Sequence, residues 1–339
     1  MPILPLATFV GFGAAFTGSA LFCRVSLPLL RDLFLVTPGA RSSHVRATPQ
    51  GGGLIVAPLA LAIAWVALLS IGWRPQVFDW RLLAALLALT ALGCWDDLRG
   101  LSARFRLLIQ AGAAALVLMT LPSQPLLIVA CLPPFLAFSV LLIGVLWFVN
   151  LTNFMDGIDL ISVTQFVPAF LTIALLEALG HEAVGPLSMA TLCLTFAGAL
   201  LGFATLNRPP ARLFLGDSGS LPLGLLGATG ALLVAGQYGV IVAGLPFLYY
   251  CADATLTLAR RALAGEKVWE AHKQHFYQRA LQRGLTVPQI IQRIGVCNVA
   301  LCAASLLVVN ASPAAHYAAL AFGIVVVGAL LRSLARGSG

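Results

Sequence analysis

Three features of this 339-residue sequence predict an all-α polytopic membrane protein with about eleven transmembrane helices. Hydrophobic residues make up 60% of it and charged residues only 9%, with a mean hydropathy of +0.97. Apolar runs long enough to cross a hydrocarbon core of ~30 Å recur from end to end. Polar residues gather in the short breaks between them. Backbone polar groups in lipid must be satisfied within the chain, so such runs predict helices.

The runs lie near 4–23, 53–73, 82–95, 106–121, 126–149, 160–178, 187–206, 220–235, 239–259, 289–309 and 314–331. The first has neither the basic start nor the small-residue cleavage site of a signal peptide, and is expected to be retained. The third is short for a span. No stretch remains for a soluble domain, so residues 1–339 are expected to form a single integral membrane domain. Of the 20 Lys and Arg residues, 18 fall on alternate breaks, leaving only Arg74 and Arg81 on the others. Positive-inside bias places those basic breaks in the cytoplasm, the amino terminus outside and the carboxyl terminus inside. The net charge of +8 suits anionic headgroups and phosphorylated substrates. A nucleic-acid partner would require a soluble basic face, which is lacking. The seven cysteines are scattered without CxxC pairing and read as small buried hydrophobes.

Five acids, Asp96, Asp97, Asp156, Asp159 and Asp217, occupy three of the basic-side breaks. Ionisable groups beside spans are costly and mark function. Hard oxygen donors grouped in this way suit a divalent cation carrying a diphosphate.

The first inner break, Arg41 to Gly53, ends in three glycines that permit close backbone approach. With Arg46 upstream it reads either as an anion-holding loop with exposed amides or as a flexible linker. In the second, Asp96 and Asp97 do not share a helical face. They divide labour between a cation and a proton, or else Asp97 pairs with a nearby Arg and the acids cap the next helix. The third places Asn150, Asn153, Asp156 and Asp159 three apart, a column of oxygen acceptors if helical, or else a polar helix end with Gly157 as a break. In the fourth, Gly216 and Gly219 bracket Asp217 ahead of a span. That turn presents Asp217 to a metal and free helix-start amides to phosphate, or Asp217 or Ser218 is an ordinary cap. In the fifth, His272 and His275 would share a helical face with Arg279 one turn on, which suits phosphate better than zinc or is simply a solvated basic face. Asp253, inside the ninth run, is expected to pair with Arg260 or Arg261.

From about residue 40 to 280 the chain resembles the polyprenyl-phosphate N-acetylhexosamine-1-phosphate transferases. Five ordered motifs carry the resemblance: Pro49-x-Gly51-Gly52, Asp96-Asp97, Asn153-x-x-Asp156-Gly157-x-Asp159, Phe214-Leu215-Gly216-Asp217-Ser218-Gly219-Ser220, and the histidine loop. It implies transfer of an N-acetylhexosamine 1-phosphate from a UDP-amino sugar to undecaprenyl phosphate, releasing UMP, at the cytoplasmic face of a bacterial inner membrane. It further implies Mg²⁺, or Mn²⁺ in its place, held on the diphosphate by Asp217 and Asn153. Asp156 would help hold the nucleotide, while Asp159 and Phe214 would meet uracil. Asp96 would activate the lipid phosphate with Asp97 in support, leaving base and nucleophile roles both open. Arg46, Arg104, His272 and His275 would cover phosphate or sugar, and a homodimer is compatible with the resemblance.

One departure matters. Many members end the histidine loop with His-x-His-His, whereas Phe276, Tyr277 and Gln278 follow His275 here. The loop is similar to that of the surface-polysaccharide branch, which implies initiation of lipopolysaccharide O-antigen or a related glycan. N-acetylglucosamine, N-acetylfucosamine and N-acetylquinovosamine all stay open as the sugar. The phospho-N-acetylmuramoyl-pentapeptide transferase of peptidoglycan synthesis is the alternative on the same frame. A transporter or lipid carrier is the alternative of another class; it would bury its acids near the midplane, and of the aspartates singled out above only Asp253 sits within a run.

Overall fold

The computed structural model describes residues 6–36, 47–121, 129, 131–179, 187–267 and 272–336. Its elements in order are α1 (Leu6–Phe34), a two-stranded antiparallel ladder of β1 (Leu35–Val36) and β2 (Thr48–Pro49), α2 (Gly53–Ser70), α3 (Val77–Arg99) and α4 (Ala103–Leu118). Then come α5 (Pro134–Met155), α6 (Ile161–Leu179), α7 (Leu187–Asn207) and α8 (Asp217–Tyr238). The chain ends with α9 (Val240–Leu263, tightened by a 3₁₀ turn at Leu245–Phe247), α10 (Phe276–Gln282), α11 (Val287–Leu307) and α12 (Pro313–Arg336).

Among the described residues ten helices are long and apolar enough to cross a membrane, all but α4 and α10. Expected boundaries shift where polar flanks stay helical. The short third run grows into the 23-residue α3, because Gln76 and Asp79 form a capping box at its start and the helix continues through Asp96 and Asp97 to Arg99. The first run extends to a 29-residue α1 that tolerates Pro28. The fifth begins at Pro134, whose missing amide donor suits the first helical turn.

The fourth run becomes α4, only 16 residues long and so about 24 Å in length at ~1.5 Å per residue. Connectivity nevertheless makes it a crossing. Asp96 near the end of α3 and Asn153 near the end of α5 both come to the start of α8 through Arg106 and Asp217. The chain must therefore leave that end of the bundle once between them. α4 does so, with Arg106 at the site and Gln110, one turn on, accepting from Asn150 of α5 at 2.8 Å. Eleven traverses follow among the described residues: α1 ends at the site end, where Gln50 donates to the Phe34 carbonyl. α12 also finishes there, with Ser333 bonded by Arg293 from the first turns of α11. At the opposite end, Trp65, Trp73 and Trp80 meet with ring centroids 4.9 and 6.0 Å apart, the aromatic composition of a membrane interface. A continuous apolar core links the helices, most completely around α7 and α8, while α1 turns Phe9, Phe22 and Leu29 outward.

Candidate active site

The site is built where two glycine-bearing segments press on the start of α8. A Cβ on Gly53 would lie 2.0 Å from the Gly219 nitrogen, and one on Gly93 would lie 2.2 Å from the Asp217 carbonyl carbon. Backbones therefore touch where side chains would hold them apart. Gly52 and Gly53 donate to the carbonyls of Phe214 and Leu215 at 2.9 Å each, and Phe214 donates back to Pro49 at 2.9 Å. The close approach expected of the triple glycine is thus present. The amides of Gly52 and Gly53 are consumed by the turn, so neither is left for phosphate.

The same holds at the start of α8. Asp97 accepts from the backbone N–H of Asp217 at 3.1 Å and of Ser218 at 3.2 Å, and the amides of Gly219 and Ser220 go to the Gly216 carbonyl. Asp97 is therefore a cap supplied from another helix, and α8 offers no free amides to phosphate there. Gly216, at φ +76°, makes the turn that aims Asp217 inward.

Three helices then converge on Asp217. Asn153 of α5 donates to its Oδ1 at 2.7 Å and to the Ser220 hydroxyl at 3.0 Å. Arg106 of α4 reaches Asp96 Oδ2 at 2.5 Å and Asp217 Oδ2 at 3.4 Å through one Nη1 atom. The Leu101 amide holds the other Asp96 oxygen at 2.5 Å. The arginine expected beside the acid pair thus exists, but it serves Asp96 and not Asp97. Arg104, expected at the site, is exposed on the surface of α4. Arg46 lies outside the described residues.

The four-residue column does not persist. Asn150 and Asn153 share a face of α5, which ends at Met155; beyond it the chain turns. Asp156 accepts from the Ser162 hydroxyl at 2.6 Å. Burial pushes its pKa up to about 6, against the Ser162 bond, with Asp97 and Asp159 adding to the rise. Asp159, 5% exposed, accepts from the Ala211 amide at 3.0 Å, which brings it to the segment that carries Phe214. Asn207, not anticipated, couples the two loops by accepting from the Leu160 amide and donating to the Leu213 carbonyl, at 2.7 and 2.8 Å.

The histidine loop is not the helical face expected. His272 precedes α10 and stacks on His275 at 4.8 Å. His275 caps α10 and turns inward, its Nδ1 3.2 Å from Asp253 Oδ1. Asp253 also accepts from Tyr249, Thr257 and the Phe276 amide. The predicted Asp253–arginine pair is therefore wrong: Arg260 bonds the Gln274 carbonyl and Arg261 binds Glu266. Burial, helped by His275 and Arg261, pushes the His272 pKa down to about 4. These surroundings disfavour the charged form of the ring.

Among the described residues no group of three His, Cys, Asp or Glu side chains is placed to hold a metal. The oxygen donors that do converge on one positive group are Asp96 and Asp217, with the Asn153 amide beside them. This set of two carboxylates and an amide has the hardness that a Mg²⁺-type ion takes.

Acids meeting a guanidinium at one end of a membrane bundle suit phosphorylated groups held at a bilayer surface. A model of glycosyl transferase family 4 matches residues 80–235. The phospho-N-acetylmuramoyl-pentapeptide-transferase of Rhodopseudomonas palustris strain BisB18 is 30% identical over 346 positions, covering 88% of this chain and 92% of the relative. Its counterpart from strain BisA53 is 29% identical over 352 positions, covering 90% and 95%. The chain belongs to glycosyl transferase family 4, whose members transfer phospho-sugars to polyprenyl phosphate.

Proposed function

We propose that this protein transfers an N-acetylhexosamine 1-phosphate from a UDP-sugar to undecaprenyl phosphate, with UMP as leaving group, on the cytoplasmic side of the membrane. An oxygen of the lipid phosphate attacks the sugar-linked phosphorus, and the bond to the UMP oxygen breaks. One phosphoanhydride replaces another, so no further energy source enters. The observation that carries the reading is the convergence of Asp96, Arg106, Asn153 and Asp217 from four helices at one end of the bundle.

Each residue has a part in it. Arg106 offsets charge between two phosphorylated reactants. Asp96 faces the lipid phosphate, and Asp97 positions Asp217 by holding the start of α8. Asp159 and Phe214, on neighbouring loops, receive the base. Asp217 and Asn153 would hold Mg²⁺, which supplies Lewis-acid stabilisation of the diphosphate when bound.

The activity named for both relatives supports UDP-N-acetylmuramoyl-pentapeptide as donor, and it favours the peptidoglycan reading over the O-antigen reading expected from the histidine loop. The second reading, an unadorned UDP-N-acetylhexosamine, rests on that loop: His275 is committed to Asp253 and 2% exposed, leaving fewer groups to meet a large donor. Release of UMP by the purified protein, with undecaprenyl phosphate and each donor in turn, with and without Mg²⁺, decides between them. Absence of UMP release with either donor would overturn the proposal.

A further inference from the structure

The site end of the bundle has a second concavity. A cleft of about 460 Å³ is walled by Arg31 from the last turn of α1, Thr48 and Pro49 of β2, Thr205 of α7, and Arg208 and Arg212 from the turn that follows. Among the described residues its lining holds three guanidinium groups and no carboxylate. Asp32 adjoins Arg31 in sequence but is not in the lining, and Asp159 is buried and committed to the Ala211 amide. Ion pairs among the described residues go to Arg106, Arg261 and His275, and none involves these three arginines. Like charges gathered around one cavity repel one another, and a bound anion relieves that cost.

The chemistry narrows the ligand. Guanidinium groups match phosphate oxygens in planar, paired hydrogen bonds, and threonine hydroxyls at the rim add donors. The volume is that of a small-molecule site, whose usual range is ~300–1,000 Å³. Arg31 stands at the end of a membrane-spanning helix, so a phosphate held there lies at the bilayer surface. The cleft shares no lining residue with the cluster of Asp96, Arg106, Asn153 and Asp217. It is nevertheless joined to it: Pro49 in the cleft wall accepts from the Phe214 amide, and the Arg212 amide is tied to the Leu206 carbonyl at 2.7 Å.

We infer that this cleft is a second anion site that holds a phosphate group at the membrane surface and braces the segment carrying Phe214. The phosphate belongs either to the diester headgroup of an anionic phospholipid or to a free phosphate ion. Both probes are applied to the full-length protein in neutral detergent, with dioctanoyl phosphatidylglycerol against inorganic phosphate and zwitterionic dioctanoyl phosphatidylcholine as the control of zero net charge. Wild-type protein is expected to bind the phosphatidylglycerol and not the phosphatidylcholine. Arg208→Gln with Arg212→Gln should weaken that binding about tenfold or more, the scale of a lost charge-assisted bond. All three arginines are exposed, which favours a folded variant; should the double variant not fold, Arg31→Gln on α1 supplies the same reading. Competition by inorganic phosphate identifies a free-ion site, and binding of the lipid without such competition identifies a headgroup site. The inference is overturned if neither anionic probe binds, or if both bind the variants as they bind wild type. Displacement of the lipid by UMP at the affinity of the donor site would overturn it too, by placing the cleft inside the reaction centre.

Discussion

Asp253 and Asp217 each sit in a helix long and apolar enough to cross a membrane, yet they are surrounded in opposite ways. Asp253 is fully buried, and its two oxygens accept from four groups of the chain itself: Tyr249, Thr257, His275 and the Phe276 amide. Asp217 has a side chain 26% exposed and is met by one amide and one shared guanidinium, with a second carboxylate, Asp96, on the same cation. The first set of partners is closed from within. The second shares its single arginine between two carboxylates and has an open side. Position in a span does not distinguish the two acids; the completeness of the partner set does.

The largest effects should come from breaking each shell in turn. Asp217→Asn is expected to lower turnover by about 10²–10³-fold or more, the scale of a lost electrostatic stabiliser, with folded protein recovered in normal yield. Asp253→Ala should do the reverse. It strands His275, Tyr249 and the Phe276 amide, a loss of roughly 3–5 kcal/mol for breaking a buried pair, read as a lower Tm and poor recovery. Equal loss of folded protein in both variants would erase the distinction between the two shells.

Arg106 and Arg104 sharpen the comparison, since they lie two residues apart on α4 and only one reaches the acids. Arg106→Gln is expected to cost about 10²-fold in turnover, and Arg104→Gln to leave UMP release near wild type. Reversal of that order would show that the Arg106 bridge does not serve the reaction.

Within the open shell, the lipid and nucleotide sides should separate. Asp96→Asn should bind UMP as wild type does while turnover falls about 10²-fold or more. Phe214→Ala and Asp159→Ala should instead weaken UMP binding by losing a ring face and a base contact. Calorimetry with UMP beside a turnover assay reads both, and loss of UMP binding by Asp96→Asn would move the acid pair to the diphosphate.

Much of this was visible in the residues alone. Composition reveals the spans, and the motif order brings Asp96, Asp97, Asn153 and Asp217 to one end, because breaks on one side of a bilayer must share a surface. What escaped is long-range pairing. Arg106 is ten residues from Asp96, and no local rule selects it over Arg99 or Arg104. A usable signal did exist: Arg106 and Gln110 are four apart in an apolar helix, a polar stripe that must face partners. The helix-start amides looked free for phosphate because Asp97, 120 positions away in sequence, is invisible to any reading of the Gly-Asp turn. The boundary of α5 at Met155 likewise hid the break that parts Asp156 and Asp159 from Asn153.

The smallest effect tests the edge of the closed shell. His272 stacks on His275 and its Nδ1 accepts from the Gln274 amide at 3.2 Å. Its folded pKa of about 4 lies below the ~6.5 of an unfolded histidine. Between those values the unfolded chain binds the additional proton, so stability rises with pH across this window and is lost as pH falls from about 6.5 toward 4. At pH 7 the ring is mostly neutral in both states and contributes little slope. His272→Gln removes the titrating group while keeping an acceptor for the Gln274 amide. Wild-type Tm should therefore fall more between pH 7 and pH 5 than that of the variant, with the two close at pH 7. An identical fall in both would mean that His272 takes up its proton in the folded protein as readily as in the unfolded one. It would then be a cation able to meet phosphate, and the histidine loop would regain the charged role its sequence suggested.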